Sequence, residues 1–195
     1  MIFWWLIPVA CGLSFVLTAV LRRYALTRNM LDVPNDRSSH TVPTPRGGGV
    51  SIVVTFLISL GVLWNWGLIG SHFFFGAAGA GLLVAIVGFM DDHRHIAPRW
   101  RLLGHFSGAA WMLVWTGGLA PIELAGIVFD LRWAGDLLAL FYLVWMLNLY
   151  NFMDGMDGLA GGMGVAGFAA YGAAAWLGGD PTLTTCGLAI AASVL

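Results

Sequence analysis

The sequence predicts an all-α fold, a polytopic membrane protein with six full transmembrane helices, the start of a seventh and an external N-terminus. Of its 195 residues, 59% are hydrophobic and only 10% are charged, whereas a soluble domain carries about 25% charged residues. Six uncharged crossings can be traced along the chain, each long enough for a ~30 Å hydrocarbon core, which takes roughly 20 helical residues. We expect a single transmembrane domain over residues 1–195 that continues beyond Leu195.

The crossings follow one another with short connections. The first stretch lacks the basic start and the cleavage site of a signal peptide, so it is interpreted as a retained helix. The run from 47 to 90 has 44 uncharged residues and must cross twice, with a turn near 65–72 where glycine and polar residues cluster. The uncharged stretches are Ile2–Leu21, Gly47–Met90, Leu102–Ile122, Leu137–Met153 and Gly158–Gly179, with Pro181–Leu195 as the start of the seventh.

The arginines predict the orientation of the chain. Only Arg132 lies in a segment on the N-terminal side of the membrane. The positive-inside rule therefore makes the arginine-rich side cytoplasmic. The net charge of −1 gives no electrostatic reason to expect a nucleic-acid partner. The arginines on the cytoplasmic side are Arg22, Arg23, Arg28, Arg37, Arg46, Arg94, Arg99 and Arg101.

Three polar segments fall on this cytoplasmic side, and they predict one composite site. They are "DVPNDRSSHTVPTPRGGG" (32–49), "DDHRH" (91–95) and "NLYNFMDGMDGLAGG" (148–162). The second segment places Asp91 and Asp92 at the C-terminal end of the third helix. The helix dipole costs each carboxylate up to about 1 kcal/mol there, and a divalent cation or a transferred proton would remove that cost. A solvated helix end beside Arg94 and Arg99 is the structural alternative.

The third segment predicts oxygen ligands. Asn148, Asn151 and Asp154 recur every three residues, which places them on one helix face, and Asp154 and Asp157 each precede a flexible glycine. Such oxygens suit Mg²⁺, which proteins hold with few groups plus substrate phosphates. An ordinary loop with Asx turns is the alternative.

The first segment predicts a phosphate contact. Arg37, His40 and Arg46 bracket a glycine run, and basic side chains beside exposed backbone amides suit phosphate oxygens. A rigid turn followed by a flexible one is the alternative. The single histidines His72 and His105 are interpreted as structural.

Together the three segments resemble the polyprenyl-phosphate N-acetylhexosamine-1-phosphate transferases, glycosyltransferase family 4. "DVPNDRSSHTVPTPRGGG", "GFMDDHRH" and "NLYNFMDGMDGLAGG" stand in the family's order, most like the bacterial enzymes that start O-antigen and teichoic-acid synthesis on undecaprenyl phosphate. The resemblance covers the chain as the N-terminal part of a larger fold. It implies a multi-pass protein of the bacterial inner membrane whose cytoplasmic active site transfers N-acetylhexosamine-1-phosphate from a UDP-sugar to polyprenyl phosphate. UMP is released, as the first step of a lipid-linked pathway to a cell-surface polysaccharide.

The resemblance also implies roles for residues and partners. Asp91 and Asp92 would be the catalytic pair, and Asn151 would hold the Mg²⁺ cofactor. The partners would be UDP-N-acetylhexosamine, polyprenyl phosphate and the membrane, with a homodimer as a candidate assembly. Direct transfer and a covalent aspartyl intermediate both stay open. A second metal-binding aspartate and a histidine-rich loop would follow Leu195. The predicted substrate-binding residues are Asp154, Asp157, Asn148, Arg37, His40, Arg46 and Arg99, the last standing near a lysine of the family.

Three other functions compete with this interpretation. An ion-coupled transporter would carry its relay acids near the middle of helices, whereas these acids lie at helix ends. A CDP-alcohol phosphotransferase would need Asp-Gly-x-x-Ala-Arg, and "DGMDGLAGG" has no arginine. A purely structural membrane subunit is the third alternative.

Overall fold

A computed structural model describes residues 4–28, 31–32, 44–45, 47–94, 96–153 and 158–194. Helices dominate these ranges, with two short antiparallel strand pairs, so the all-α prediction is confirmed. The elements are α1 Leu6–Thr27, β1 Leu31–Asp32, β2 Thr44–Pro45, α2 Gly49–Asn65, α3 Ser71–Arg94, α4 Pro98–Thr116, β3 Ile122–Leu124, β4 Ile127–Phe129, α5 Arg132–Met153, α6 Leu159–Leu177 and α7 Pro181–Val194.

The helices make this a membrane-embedded protein. Within the described ranges, three of them are long and apolar enough to cross a bilayer, namely Leu6–Thr27, Ser71–Asp92 and Arg132–Met153. α2 and α7 are apolar but shorter. The predicted turn in the double-length run is confirmed, because α2 ends at Asn65 and α3 begins at Ser71. Six full crossings and an external N-terminus remain predictions.

The predicted bounds of the fourth and fifth helices need correction. α4 begins at Pro98, because a proline at the first helical position already has the helical φ. It ends at Thr116 rather than Ile122, because Gly117 takes the left-handed conformation (φ 82°) that terminates helices. α5 begins at Arg132 rather than Leu137. The segment between them forms the β3–β4 pair, which the sequence analysis did not predict.

Contacts divide the chain into two compact units, Met1–Ile69 with Asn151–Leu195, and Gly70–Tyr150. In the first unit α7 packs against α1, α2 and α6. The Ser14 hydroxyl on α1 donates to the Ser193 carbonyl on α7. A Cβ added at Gly187 would lie 2.9 Å from the Cα of Gly172, so α6 and α7 meet backbone to backbone. Small and hydroxyl residues are typical of membrane-helix contacts. The single-domain prediction stays untested.

In the second unit α3 and α4 form an antiparallel helix pair. Glycines of each helix accept side chains of the other, since a Cβ at Gly108 would lie 2.9 Å from Val84. The indole N–H of Trp111 donates to the carbonyl of Phe75 at 2.9 Å. The start of α3 therefore lies beside the end of α4, and the end of α3 beside the start of α4. This arrangement positions the acidic pair next to the first turns of α4.

Candidate active site

Asp91 lies in the last turn of α3 and joins that turn to α4. Its Oδ1 accepts a hydrogen bond from the backbone N–H of Ile96 at 3.1 Å. Its Oδ2 accepts one from Nη1 of Arg101 at 3.0 Å. The two side chains are 23% and 29% exposed respectively, so the ion pair is only partly screened by water. The arginine and the N–H supply the counter-charge that a carboxylate at a helix C-terminus requires.

Asp92 occupies a different environment from Asp91. It is exposed on α3, whereas Asp91 is half-buried against α4. Consecutive helix residues point about 100° apart, since an α-helix has 3.6 residues per turn. The two carboxylates are therefore not equivalent, which the sequence alone did not reveal.

Arg101 is the residue of this turn that the sequence analysis did not single out, and His105, which it interpreted as structural, follows one turn later on α4. They stand four residues apart on α4 and so share a face. The His105 side chain is 6% exposed, and its Nδ1 has no hydrogen-bond partner in the described part of the chain. The predicted basic residue was Arg99, which is exposed and whose guanidinium lies 5.8 Å from the ring centroid of Trp100. The spacing of Arg101 and His105 along α4 was visible in the sequence, but the contact of Arg101 with Asp91 on α3 was not.

Asn148 and Asn151 both lie in the last turns of α5. The Asn148 amide nitrogen donates to the carbonyl of Val144 at 2.7 Å, which leaves its amide oxygen for a ligand. Asn151 is exposed. Asn148 belongs to the same compact unit as the acidic pair, and Asn151 belongs to the other unit. Their predicted roles stay predictions.

The remaining predicted residues, Arg37, His40, Arg46, Asp154 and Asp157, lie outside the described residues. The structure does describe residues that flank them in the sequence. β1 pairs with β2 in the register Leu31↔Pro45 and Asp32↔Thr44, so the start of the first polar segment lies beside Thr44 of the same segment. Gly158, which follows Asp157 in the sequence, has φ 74° and precedes α6.

The described donor set suits a metal that takes few protein ligands. Across the described ranges, no group of three or more His, Cys, Asp or Glu side chains is placed to hold an ion. Asp92 in one unit and Asn151 in the other each offer hard oxygen donors of the kind that Mg²⁺ prefers, and Mg²⁺ usually completes its shell with substrate phosphates and water. Taken singly, each of these residues has a donor chemistry that fits magnesium with a bound diphosphate.

Comparison with known families decides the class of the protein. The family described as Glycosyl transferase family 4 matches residues 74–195, which is more than half of the chain. The chain belongs to glycosyl transferase family 4. The resemblance drawn from the motifs is thus confirmed. No curated protein matches the chain.

Family 4 membership makes the protein, in general terms, a membrane-embedded transferase of sugar phosphate to a polyprenyl phosphate. The matched residues include Asp91, Asp92 and the α5 segment with Asn148 and Asn151, but not the first polar segment. The acidic turn of α3 and the end of α5 therefore both fall in the part that is similar to the family.

Proposed function

We propose that the protein transfers N-acetylhexosamine-1-phosphate from a UDP-sugar to undecaprenyl phosphate at the cytoplasmic membrane face. The reaction would release UMP and open a lipid-linked pathway to a cell-surface polysaccharide. One substrate is soluble and anionic, and the other is a phosphate on a lipid tail. A site that serves both has to lie where helices reach the membrane surface.

The observation that carries the proposal is the acidic turn of α3 with its arginine. Asp91 and Asp92 stand in the last turns of an apolar helix long enough to span a bilayer, and Arg101 is held there by Asp91. Carboxylates beside a fixed guanidinium can exchange a proton with a phosphate and bind its oxygens. Relay acids of a transporter would be expected deeper in the helix.

Asp91 and Asp92 have different roles in the proposed reaction. Both oxygens of Asp91 already accept hydrogen bonds, from Ile96 and from Arg101. Asp91 therefore acts as a positioning residue that holds the guanidinium and the turn. Asp92, the exposed member of the pair, is the carboxylate proposed to take the proton from the acceptor phosphate.

The proposed chemical step is a direct phosphoryl transfer. An oxygen of the acceptor phosphate forms a bond to the sugar-bearing phosphorus of the UDP-sugar. The bond from that phosphorus to the oxygen of UMP breaks, and UMP leaves with the electron pair. The acceptor's proton passes to Asp92. Positioning and charge stabilisation supply most of the catalysis in such reactions.

Magnesium, when bound, supplies charge neutralisation on the diphosphate. Asn151 would hold it through the amide oxygen. A neutral ligand of this kind makes the metal depend on the charge of the bound UDP-sugar. Asp154 and Asp157 are proposed to contact the nucleotide-sugar, with Asn148, Arg37, His40, Arg46 and Arg99 as further substrate contacts.

The test is transfer of labelled sugar phosphate to undecaprenyl phosphate, with UDP-N-acetylglucosamine and UDP-N-acetylgalactosamine as parallel donors. Asp92→Asn should lower turnover by about 10² to 10⁴-fold, the usual loss for a positioned acid–base group. Asp130→Asn is the matched control, because it makes the same change in an acid beyond the other end of α4, and should keep full activity. UMP and lipid product should appear in equal amounts. Near-normal turnover of Asp92→Asn, or no UMP release from either donor, would overturn the proposal.

A further inference from the structure

The β3–β4 pair has a register that sorts its side chains by face. Ile122 pairs with Phe129, Glu123 with Val128 and Leu124 with Ile127. The two turn residues have positive φ, 51° at Ala125 and 81° at Gly126, as the two-residue type I′ hairpin turn requires. Because side chains alternate along a strand, Ile122, Leu124, Ile127 and Phe129 share one face.

The part of the chain that the structure describes does not cover this apolar face. Its four residues have exposed fractions between 38% and 61%. An isolated two-stranded hairpin is at best marginally stable in water. Four large apolar side chains on one face of such a hairpin therefore need a partner that removes them from water.

The hairpin is held close to the helix ends. The N–H of Gly118 bonds the carbonyl of Leu113 at 2.8 Å, and the N–H of Leu119 bonds Oδ1 of Asp136 at 2.7 Å. Only Ala120 and Pro121 then separate Leu119 from β3, a reach of about 7 Å for two extended residues. The hairpin cannot move away from the level at which α4 ends and α5 begins.

That level is the edge of a membrane span. α5 is long and apolar enough to cross the bilayer from Arg132, and α3, which begins beside the end of α4, is another such helix. The polar side is marked by Asp130 and Arg132, an exposed pair 3.8 Å apart. Both outer edges of a two-stranded sheet carry backbone groups without strand partners, which excludes the hydrocarbon core but suits the hydrated interface.

We propose that the β3–β4 hairpin is an interfacial membrane anchor, with the face formed by Ile122, Leu124, Ile127 and Phe129 inserted at the headgroup–acyl boundary of the bilayer. The partner is the lipid surface itself. Continuity with the α5 span, the two-residue tether and the exposed charged pair beside the hairpin favour lipid over a second protein. The neighbouring Trp133 is 75% exposed, and tryptophan is enriched at this depth in membranes.

The experiment measures depth at single labelled cysteines in the full chain, with Cys11→Ala and Cys186→Ala as background. Leu124→Cys and Ile127→Cys carry an environment-sensitive fluorophore on the apolar face. Glu123→Cys and Val128→Cys are matched controls one residue away on the opposite face. Each variant is placed, one chain per nanodisc, in phosphatidylethanolamine–phosphatidylglycerol bilayers with or without a nitroxide lipid labelled near the headgroup. Aqueous iodide is the second quencher.

We expect the nitroxide lipid to quench positions 124 and 127 more than iodide does, and the order to reverse at 123 and 128. Equal iodide access at all four positions would overturn the proposal. Shielding of 124 and 127 that appears only in nanodiscs holding two chains would also overturn it, in favour of a contact between copies. Two positions on each face guard against a single variant that fails to fold.

Discussion

At each end of α4, an aspartate of a neighbouring helix accepts a hydrogen bond from a backbone N–H of the adjoining turn. At the first end Asp91 accepts the N–H of Ile96 at 3.1 Å, and at the second Asp136 accepts the N–H of Leu119 at 2.7 Å. The surroundings differ. Asp91 also binds Arg101 beside a second carboxylate, whereas Asp136 lines an open, mostly apolar cleft of about 500 Å³.

An aspartate that accepts a backbone N–H of the adjoining turn is therefore by itself a structural feature of this fold. The proposed catalytic end differs because its aspartate, Asp91, also pairs with Arg101 and stands next to a second carboxylate, Asp92. The same contrast holds for the ion pairs near each end. Arg101–Asp91 is short and largely shielded, while Arg132–Asp130 is 3.8 Å long with both side chains more than half exposed.

The largest expected effect concerns which end of α4 faces the cytoplasm. A reporter fused after Arg46 or Arg101 should be active only in the cytoplasm, and one fused near Asp130 only outside, because eight of the nine arginines lie on the first side. Paired enzymatic reporters, each active in one compartment, make the readout all-or-none. The reverse pattern would place the acidic turn on the wrong side for a nucleotide-sugar.

A smaller effect should separate the two arginines. Arg101→Met removes a charge-assisted hydrogen bond that contributes about 1.5–3 kcal/mol to stability, and it also removes the guanidinium proposed to meet a phosphate. If that guanidinium contributes a similar amount in the transition state, turnover should fall by roughly 10 to 100-fold, since each 1.36 kcal/mol of barrier is tenfold in rate. Arg101→Lys should recover part of this loss, because lysine keeps the charge but not the planar fork. Arg132→Met should change little, since exposed pairs contribute only about 0–1 kcal/mol.

The measurement is turnover together with thermal unfolding in detergent, which separates a lost contact from a lost fold. Equal losses in Arg101→Met and Arg132→Met would erase the distinction between the two ends. Full activity of Arg101→Met with lowered unfolding temperature would make the pair purely structural.

The smallest effect concerns the metal. If Asn151 holds Mg²⁺ through a neutral oxygen, raising the UDP-sugar concentration should lower the Mg²⁺ midpoint, by about fivefold at the low end of usual coupling energies. Asn151→Ala should raise that midpoint and cut turnover. Asn148→Ala should act less, because its amide nitrogen is already bonded to Val144. An identical midpoint at two UDP-sugar concentrations, or activity that survives chelation, would remove Asn151 from the metal site.

Much of the fold could be predicted from the sequence, and the misses have physical causes. The turn between α2 and α3 and the acids at the end of α3 were predicted, because apolar length and glycine position act locally. The bounds of α4 were wrong, since hydropathy continues past Gly117 into a strand. The β3–β4 pair was not predicted, because strands of three residues between two crossings are too short to show a recognisable alternation of side chains.

The candidate site divides in the same way. Asp91 and Asp92 stood out from composition alone, because charge is rare in this chain. Arg99 was predicted as a substrate contact from its place near a lysine of the family, and that role stays a prediction. Which arginine meets Asp91 depends on the packing of α3 on α4, with glycines such as Gly104 and Gly108 at the contact, and in the structure it is Arg101.

By itself the sequence determined that this is a helical membrane protein of glycosyl transferase family 4 type, with acids at helix ends. These properties depend on the length and polarity of contiguous segments, which the bilayer thickness and the helix rise translate directly into crossings. The tertiary structure decided that Asp91 is bonded through both oxygens while Asp92 is exposed, and that a hairpin presents four apolar side chains at the far end of α4. Such distinctions arise because hydrogen bonds and burial join residues from different elements, and only the folded chain establishes which of them meet.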